Sequence, residues 1–142
     1  MEAVPLLNRS IPVLVFPSLL LVANLTFAET RLERGKYLVE EVGRCQECHT
    51  PKLPDGQFDR SKWLKGATLN IQPIDPIKGW HKTSPDLTRP GRLWQKWGER
   101  AILNYLTTGL SPAGKPAEAP MPTYKLKPED AEAIVEYLKS LQ

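Results

Sequence analysis

The sequence predicts an all-α fold of three or more helices joined by long loops. Three observations carry that reading. Apolar residues recur at helical spacing in three separate segments, each with a start or stop signal of its own. Between Pro51 and Pro90 neither a helix nor a strand can be read. With 14 Pro and 9 Gly in 142 residues, much of the chain must be irregular. At 41% hydrophobic and 25% charged the chain is nevertheless globular in composition, and its length suits one domain.

The first helix is expected to begin near Thr30, which forms a capping box with Glu33. Leu32, Gly35, Leu38, Val39 and Val42 recur along it at helical spacing. Gly35 has a cost in a helix interior; a close helix crossing would account for it, and a tolerated surface glycine is the plainer reading. A second helix is predicted over Trp97–Thr108, with Trp97, Ala101, Ile102, Tyr105 and Leu106 on one face and Gly109 placed to end it. The third runs from about Pro128 to Leu141. Pro128 suits the first helical position, and Glu129 and Asp130 complement the positive end of the helix dipole. Ala131, Ile134, Val135, Leu138 and Leu141 form its buried stripe, flanked by Tyr137.

The N-terminus has the pattern of an export signal. Arg9 precedes a mostly apolar run from Ile11 to Ala23, and Thr26-Phe27-Ala28 offers a small-x-Ala cleavage site. The run is too short for a confident membrane span, which needs about 20 residues, and Pro12 and Pro17 weaken it as a helix. Residues 1–28 are therefore expected to be a signal peptide cleaved after Ala28, with an uncleaved anchor as the other reading. Residues 29–142 would be the mature domain, periplasmic or otherwise exported and without a membrane span.

Export changes how the two cysteines are read, because they sit in Cys45-Gln46-Glu47-Cys48-His49. A disulfide is one chemistry open to them in an oxidising compartment. Half of a zinc site is another, although a closed site needs four ligands and only His49 and the distant His81 could join the cysteines. Covalent haem attachment is the third, and C-x-x-C-H is its sequence signature. Two cysteines at that spacing can form thioethers to the two vinyl groups of one haem. The next residue, His49, is then held beneath the iron as its proximal ligand.

Such an iron needs a sixth ligand. Once the signal segment is removed, Met121 is the sole methionine, in Ala119-Pro120-Met121-Pro122. Prolines on both sides stiffen the segment and block helix or ladder bonds. That suits a loop presenting a thioether to iron, while packing in the core is the plainer role for a methionine. His81, in Gly79-Trp80-His81-Lys82, reads as a surface or loop histidine. The irregular stretch from Pro51 to Pro90 needs something to organise it, and a large flat apolar haem is such a body. Trp63, Trp80 and Trp94 can pack against the ring or donate an indole N–H to a propionate, or serve only as core.

The order of these features resembles the class I c-type cytochromes. The resemblance covers nearly all of residues 30–142. Arg34-Gly35-Lys36-Tyr37-Leu38, Pro85-Asp86-Leu87-Thr88, Trp97 to Gly109, Ala119-Pro120-Met121-Pro122 and Asp130 to Leu141 look like the small bacterial monohaem cytochrome c domains, some of them electron-transfer subunits of dehydrogenases. It implies a cytochrome c-like fold wrapped around one covalently bound haem c, attached at Cys45 and Cys48 and ligated by His49 and Met121. It also implies that Gly35 and Tyr37 or Leu38 meet Ile134, Tyr137 or Leu138. Asp86 stands where relatives often show Asn, and Asn70 to Lys82 match no pattern.

The function implied is one-electron transfer between exported or membrane-bound redox partners: a dehydrogenase, a respiratory complex or a terminal oxidase. No catalytic constellation is legible. A haem enzyme with an open sixth iron position is the alternative reading, and a haem-based sensor or structural subunit is a further one. The net charge of +3 leaves no footprint for nucleic-acid binding. Lys36, Arg44, Lys52, Lys62 and Lys65 are candidates for steering acidic partners.

Overall fold

The computed structural model describes residues 28–142. All of the expected leader but Ala28 therefore lies outside the described residues. Five α-helices follow in order: α1 (Arg31–Tyr37), α2 (Gln46–His49), α3 (Arg92–Trp97), α4 (Glu99–Thr108) and α5 (Pro128–Ser140). Helix α1 continues as a π-helical turn over Leu38–Val42, and a single 3₁₀ turn spans Arg60–Lys62. No strand forms among the described residues; only isolated β-bridges occur, such as Lys52 with Phe58 and Thr68 with Thr83. The all-α expectation holds.

The capping box is present in both directions. Thr30 Oγ1 accepts from the Glu33 amide, and the Glu33 carboxylate accepts from the Thr30 amide. The apolar stripe expected of this helix is narrower than its spacing suggests. Leu38 and Val39 are buried, but Leu32 is 41% and Val42 58% exposed. The switch to π winding after Tyr37 shifts the residues beyond it off a strict 3.6-residue face.

Helices α1 and α5 cross at Gly35. A β-carbon at this position would lie 1.9 Å from the Ala133 carbonyl oxygen and 2.9 Å from Tyr137 Cβ, so only glycine permits the approach. Ala133 is the partner the sequence reading missed. It meets Gly35 through its backbone carbonyl, and the apolar periodicity does not single it out. Ala131, Ile134, Val135, Tyr137 and Leu138 are also buried on α5, and Ile102 and Leu106 of α4 belong to the same core. Tyr37 is exposed.

The expected helix over Trp97–Thr108 is α4, starting two residues later at Glu99, and the α3 helix that ends at Trp97 was not expected. Gly98 has φ +73°, and this left-handed backbone ends α3 and begins α4. Trp97 and Tyr105 still meet, edge to face, with centroids 5.2 Å apart. Gly109, with φ +74°, caps α4 as expected.

Candidate haem site

The Cys45–His49 turn is held by its own backbone before any other group is added. Arg44 adopts φ +49°, turning the chain out of the π-helical segment and into α2. The Cys45 amide then donates to the Val39 carbonyl at 2.9 Å, and the His49 amide to the Cys45 carbonyl at 2.9 Å. Buried Gln46 donates through Nε2 to the Glu40 carbonyl at 2.7 Å. One short helical turn thus puts both cysteines and the histidine in a fixed frame tied to α1.

The thiols of Cys45 and Cys48 are free, not joined as a disulfide. Burial pushes the Cys45 thiol up to about 11 and raises that of Cys48 as well. Neither is an activated thiolate of the kind redox motifs use. No group of three or more His, Cys, Asp or Glu side chains that could hold a metal ion exists among the described residues, which removes the zinc reading there.

His49 is buried. Burial pushes its imidazole below the usual range, partly offset by the bond its Nδ1 makes to the Pro85 carbonyl at 2.8 Å. That carbonyl can only accept, so Nδ1 carries the proton and Nε2 keeps its lone pair for a metal. Fixing the tautomer in this way is what outer hydrogen bonds do for ligating histidines.

Pro85 belongs to a loop sewn to the motif by polar atoms. Ser84 Oγ donates to the Cys48 carbonyl at 2.6 Å and accepts from the Ala67 amide at 2.9 Å. The Gly66 amide donates to the His49 carbonyl at 2.8 Å. Thr50 Oγ1 accepts from the Leu64 amide at 2.9 Å, holding Leu64 at φ +58°. Asp86 accepts from both the amide and the hydroxyl of Thr88 through one oxygen, at 2.8 and 2.7 Å. Acceptance at one oxygen is a task Asp and Asn share, so the Asp86 departure leaves the turn intact. The sequence offered only proximity as a signal for these residues: Ser84 precedes Pro85, and Thr50 follows His49.

Met121 is half-buried in an irregular segment, its amide bonded to the Glu118 carbonyl at 3.1 Å. Three residues on, the Tyr124 hydroxyl donates to the Gly43 carbonyl at 3.3 Å. A β-carbon on Gly43 would stand 3.3 Å from Cys45 Sγ and 3.5 Å from that hydroxyl. The methionine loop and the cysteine motif therefore meet around Gly43. Tyr124 was not singled out from sequence.

The three tryptophans separate cleanly. Trp94 Nε1 donates to the Leu87 carbonyl at 2.8 Å, and Trp63 Nε1 reaches the Tyr137 hydroxyl at 3.4 Å. Trp80 Nε1 is buried without a partner. A buried N–H left unpaired is costly and fits a group supplied from outside the polypeptide. A cleft of about 540 Å³ between Lys52, Lys62, Thr68 and Thr83 includes neither His49 nor Met121; it is a groove between loops. His81 is exposed and bonded to Glu118. Of the candidate steering cations, Arg44 and Lys52 both pair with Glu47, and Lys62 pairs with Asp59.

The donor set, a neutral buried imidazole one turn from two thiols, fits a covalently attached haem. Comparison with known proteins agrees. Residues 32–142 match the family model described as Cytochrome c, and the chain belongs to that family, whose prosthetic group is covalently bound haem c and whose role is electron transfer. A diheme cytochrome c-type protein of Cereibacter sphaeroides is 38% identical over 112 residues, covering 75% of this chain and 34% of that one. The fructose dehydrogenase cytochrome subunit of Gluconobacter japonicus is 33% identical over 114 residues, 76% of this chain and 21% of the relative. The gluconate 2-dehydrogenase cytochrome c subunit of Pantoea cypripedii is 31% identical over 125 residues, 78% and 26%. The chain thus spans about a third or less of the length of these relatives. No helix among the described residues is long and apolar enough to cross a membrane.

Proposed function

We propose that this chain carries a single haem c, joined through Cys45 and Cys48 and ligated by His49 and Met121, and that it acts as an electron carrier without a catalytic site of its own. The observation that carries the reading is the buried His49 ring, whose Nδ1 is committed to the Pro85 carbonyl while Nε2 remains available. The chain's two cysteines suffice for one attachment motif. The haem supplies the one-electron couple. The polypeptide's part is to fix the proximal imidazole, offer the Met121 thioether on a proline-braced loop, donate Trp80 Nε1 to a propionate and keep water from the iron. A thioether ligand favours the ferrous state and raises the potential. The similarity to dehydrogenase cytochrome subunits supports a dehydrogenase as electron donor, with a respiratory complex or terminal oxidase as acceptor. Residues 1–28 are read as a signal peptide, so the exported chain should begin at Glu29, as N-terminal sequencing of the secreted protein will test.

The absorption spectrum of the matured protein tests the site. A low-spin spectrum is expected in both redox states, with a weak long-wavelength sulfur-to-iron band that Met121→Ala abolishes. A high-spin ferrous form that binds carbon monoxide at once would overturn the electron-carrier reading in favour of a haem enzyme with an open sixth position. Absence of covalent haem would overturn it entirely.

A further inference from the structure

Two segments distant in sequence are fastened together beside Met121. The His81 imidazole donates through Nε2 to the Glu118 carboxylate, 37 residues away. The His81 backbone amide donates to the Ala119 carbonyl at 2.8 Å, and the Met121 amide closes back onto the Glu118 carbonyl at 3.1 Å. A β-carbon on Gly79 would come to 3.9 Å from the Glu118 side chain, so the His81 strand of chain runs alongside it. Glu118 is thus bonded on both sides: its side chain to the loop that brings in Trp80, its backbone to the methionine. Its carboxyl is held below the usual range, chiefly by the hydrogen bond from His81. His81 and Glu118 are 56% and 53% exposed. Such a pair adds little to global stability, yet it lies where a loop must stay closed.

We propose that His81 and Glu118 form a clasp that positions the Met121 loop and sets how often it opens to let another ligand reach the iron. This rests on the reading of Met121 as the sixth ligand. An incoming ligand that must wait for local opening binds in proportion to the open population. Losing an exposed hydrogen-bonded pair should raise that population about two- to fivefold.

The experiment uses the ferric, haem-bearing protein with imidazole as the probe, following loss of the sulfur-to-iron band. His81→Ala and Glu118→Ala should each speed imidazole binding about two- to fivefold, and the double variant should be no faster than either single one. His81→Gln, which keeps an N–H donor, should fall back toward the wild-type rate. Both residues lie at the surface, and an unchanged band before imidazole is added reports an intact site. Rates equal to wild type in both single variants, or additive effects in the double, would overturn the clasp. A wild-type protein with no sulfur band, unchanged by Met121→Ala, would sink the ligand reading and the clasp with it. The band present in wild type with unaltered imidazole rates would sink the clasp alone.

Discussion

At the α1–α5 crossing two helices touch backbone to backbone, with ion pairs only at the rim: Gly35 lies against the Ala133 carbonyl and Tyr137 Cβ, and the contact depends on the absence of a side chain. Across the loop from Pro51 to Pro90 the arrangement is reversed. There Thr50, Ser84, the Pro85 carbonyl and backbone amides such as that of Gly66 hold the chain against Cys48 and His49, while Asp86 braces its own turn through Thr88. One region positions the cysteine motif by shape, the other by hydrogen bonds. Shape fails abruptly when it is exceeded, because packed interiors tolerate little added volume. A polar seam loses strength one bond at a time.

That contrast orders the expected effects. Gly35→Ala should be the most damaging single change, at about 3 kcal/mol or more, since the new methyl group collides with backbone that cannot move aside. Urea denaturation of the haem-bearing protein will measure it, and a cost below about 1 kcal/mol would mean the crossing adjusts as loops do. Thr50→Val comes next. It removes the acceptor for the buried Leu64 amide and should cost about 2 kcal/mol, with the Pro85 bond to His49 loosened and the reduction potential shifted. A loss as large as that of Gly35→Ala would erase the distinction between the two regions.

Tyr137 belongs to both regions, packed in the crossing and bonded to Trp63 and Glu40. Tyr137→Phe should cost about 1 kcal/mol. Burial first, then the bond to Glu40, raise the Tyr137 phenol to about 12. An unfolded tyrosine loses its proton near 10, so in that window only the unfolded state deprotonates. Stability should therefore be intact below pH 10 and fall as pH rises from about 10 to about 12. Tyr137→Phe should reduce that alkaline loss, leaving the part due to Tyr124, which burial likewise raises to about 12. The smallest effect belongs to the rim of the crossing. Arg34 bonds Asp130 at 3.0 Å, half-exposed, and Asp130→Asn should cost at most about 1 kcal/mol, less at high salt.

The crossing was half legible: glycine inside an apolar helical stripe has a cost that either a close crossing or a tolerated surface position could explain, and the structure selects the crossing. Cys45, Cys48 and His49 stood out as a candidate site because C-x-x-C-H is the spacing that haem attachment needs. The stretch around Gly98 was misread because a helix-to-helix break needs only one residue with positive φ, and the apolar face runs straight across it. The seam from Thr50 to Thr88 was silent for a different reason. Its side chains are small and hydroxylated, ordinary in any loop, and they acquire meaning only when tertiary structure brings Cys48 and His49 to them. The tryptophans were equally ambiguous until their indole nitrogens had partners: Trp63 and Trp94 are satisfied by the protein, and Trp80 is not.

The crossing also has a consequence in time. Arg34 and Asp130 are 96 residues apart, so this contact is about as non-local as the chain allows, and non-local contacts close late. Synthesis runs from Cys45 toward α5, and until α5 is made the face of Gly35 has no cover. A chain ending before Pro128 would leave that interval open indefinitely. The order in which the molecule is made thus leaves the α1 face beside the Cys45 turn uncovered until the last helix is in place.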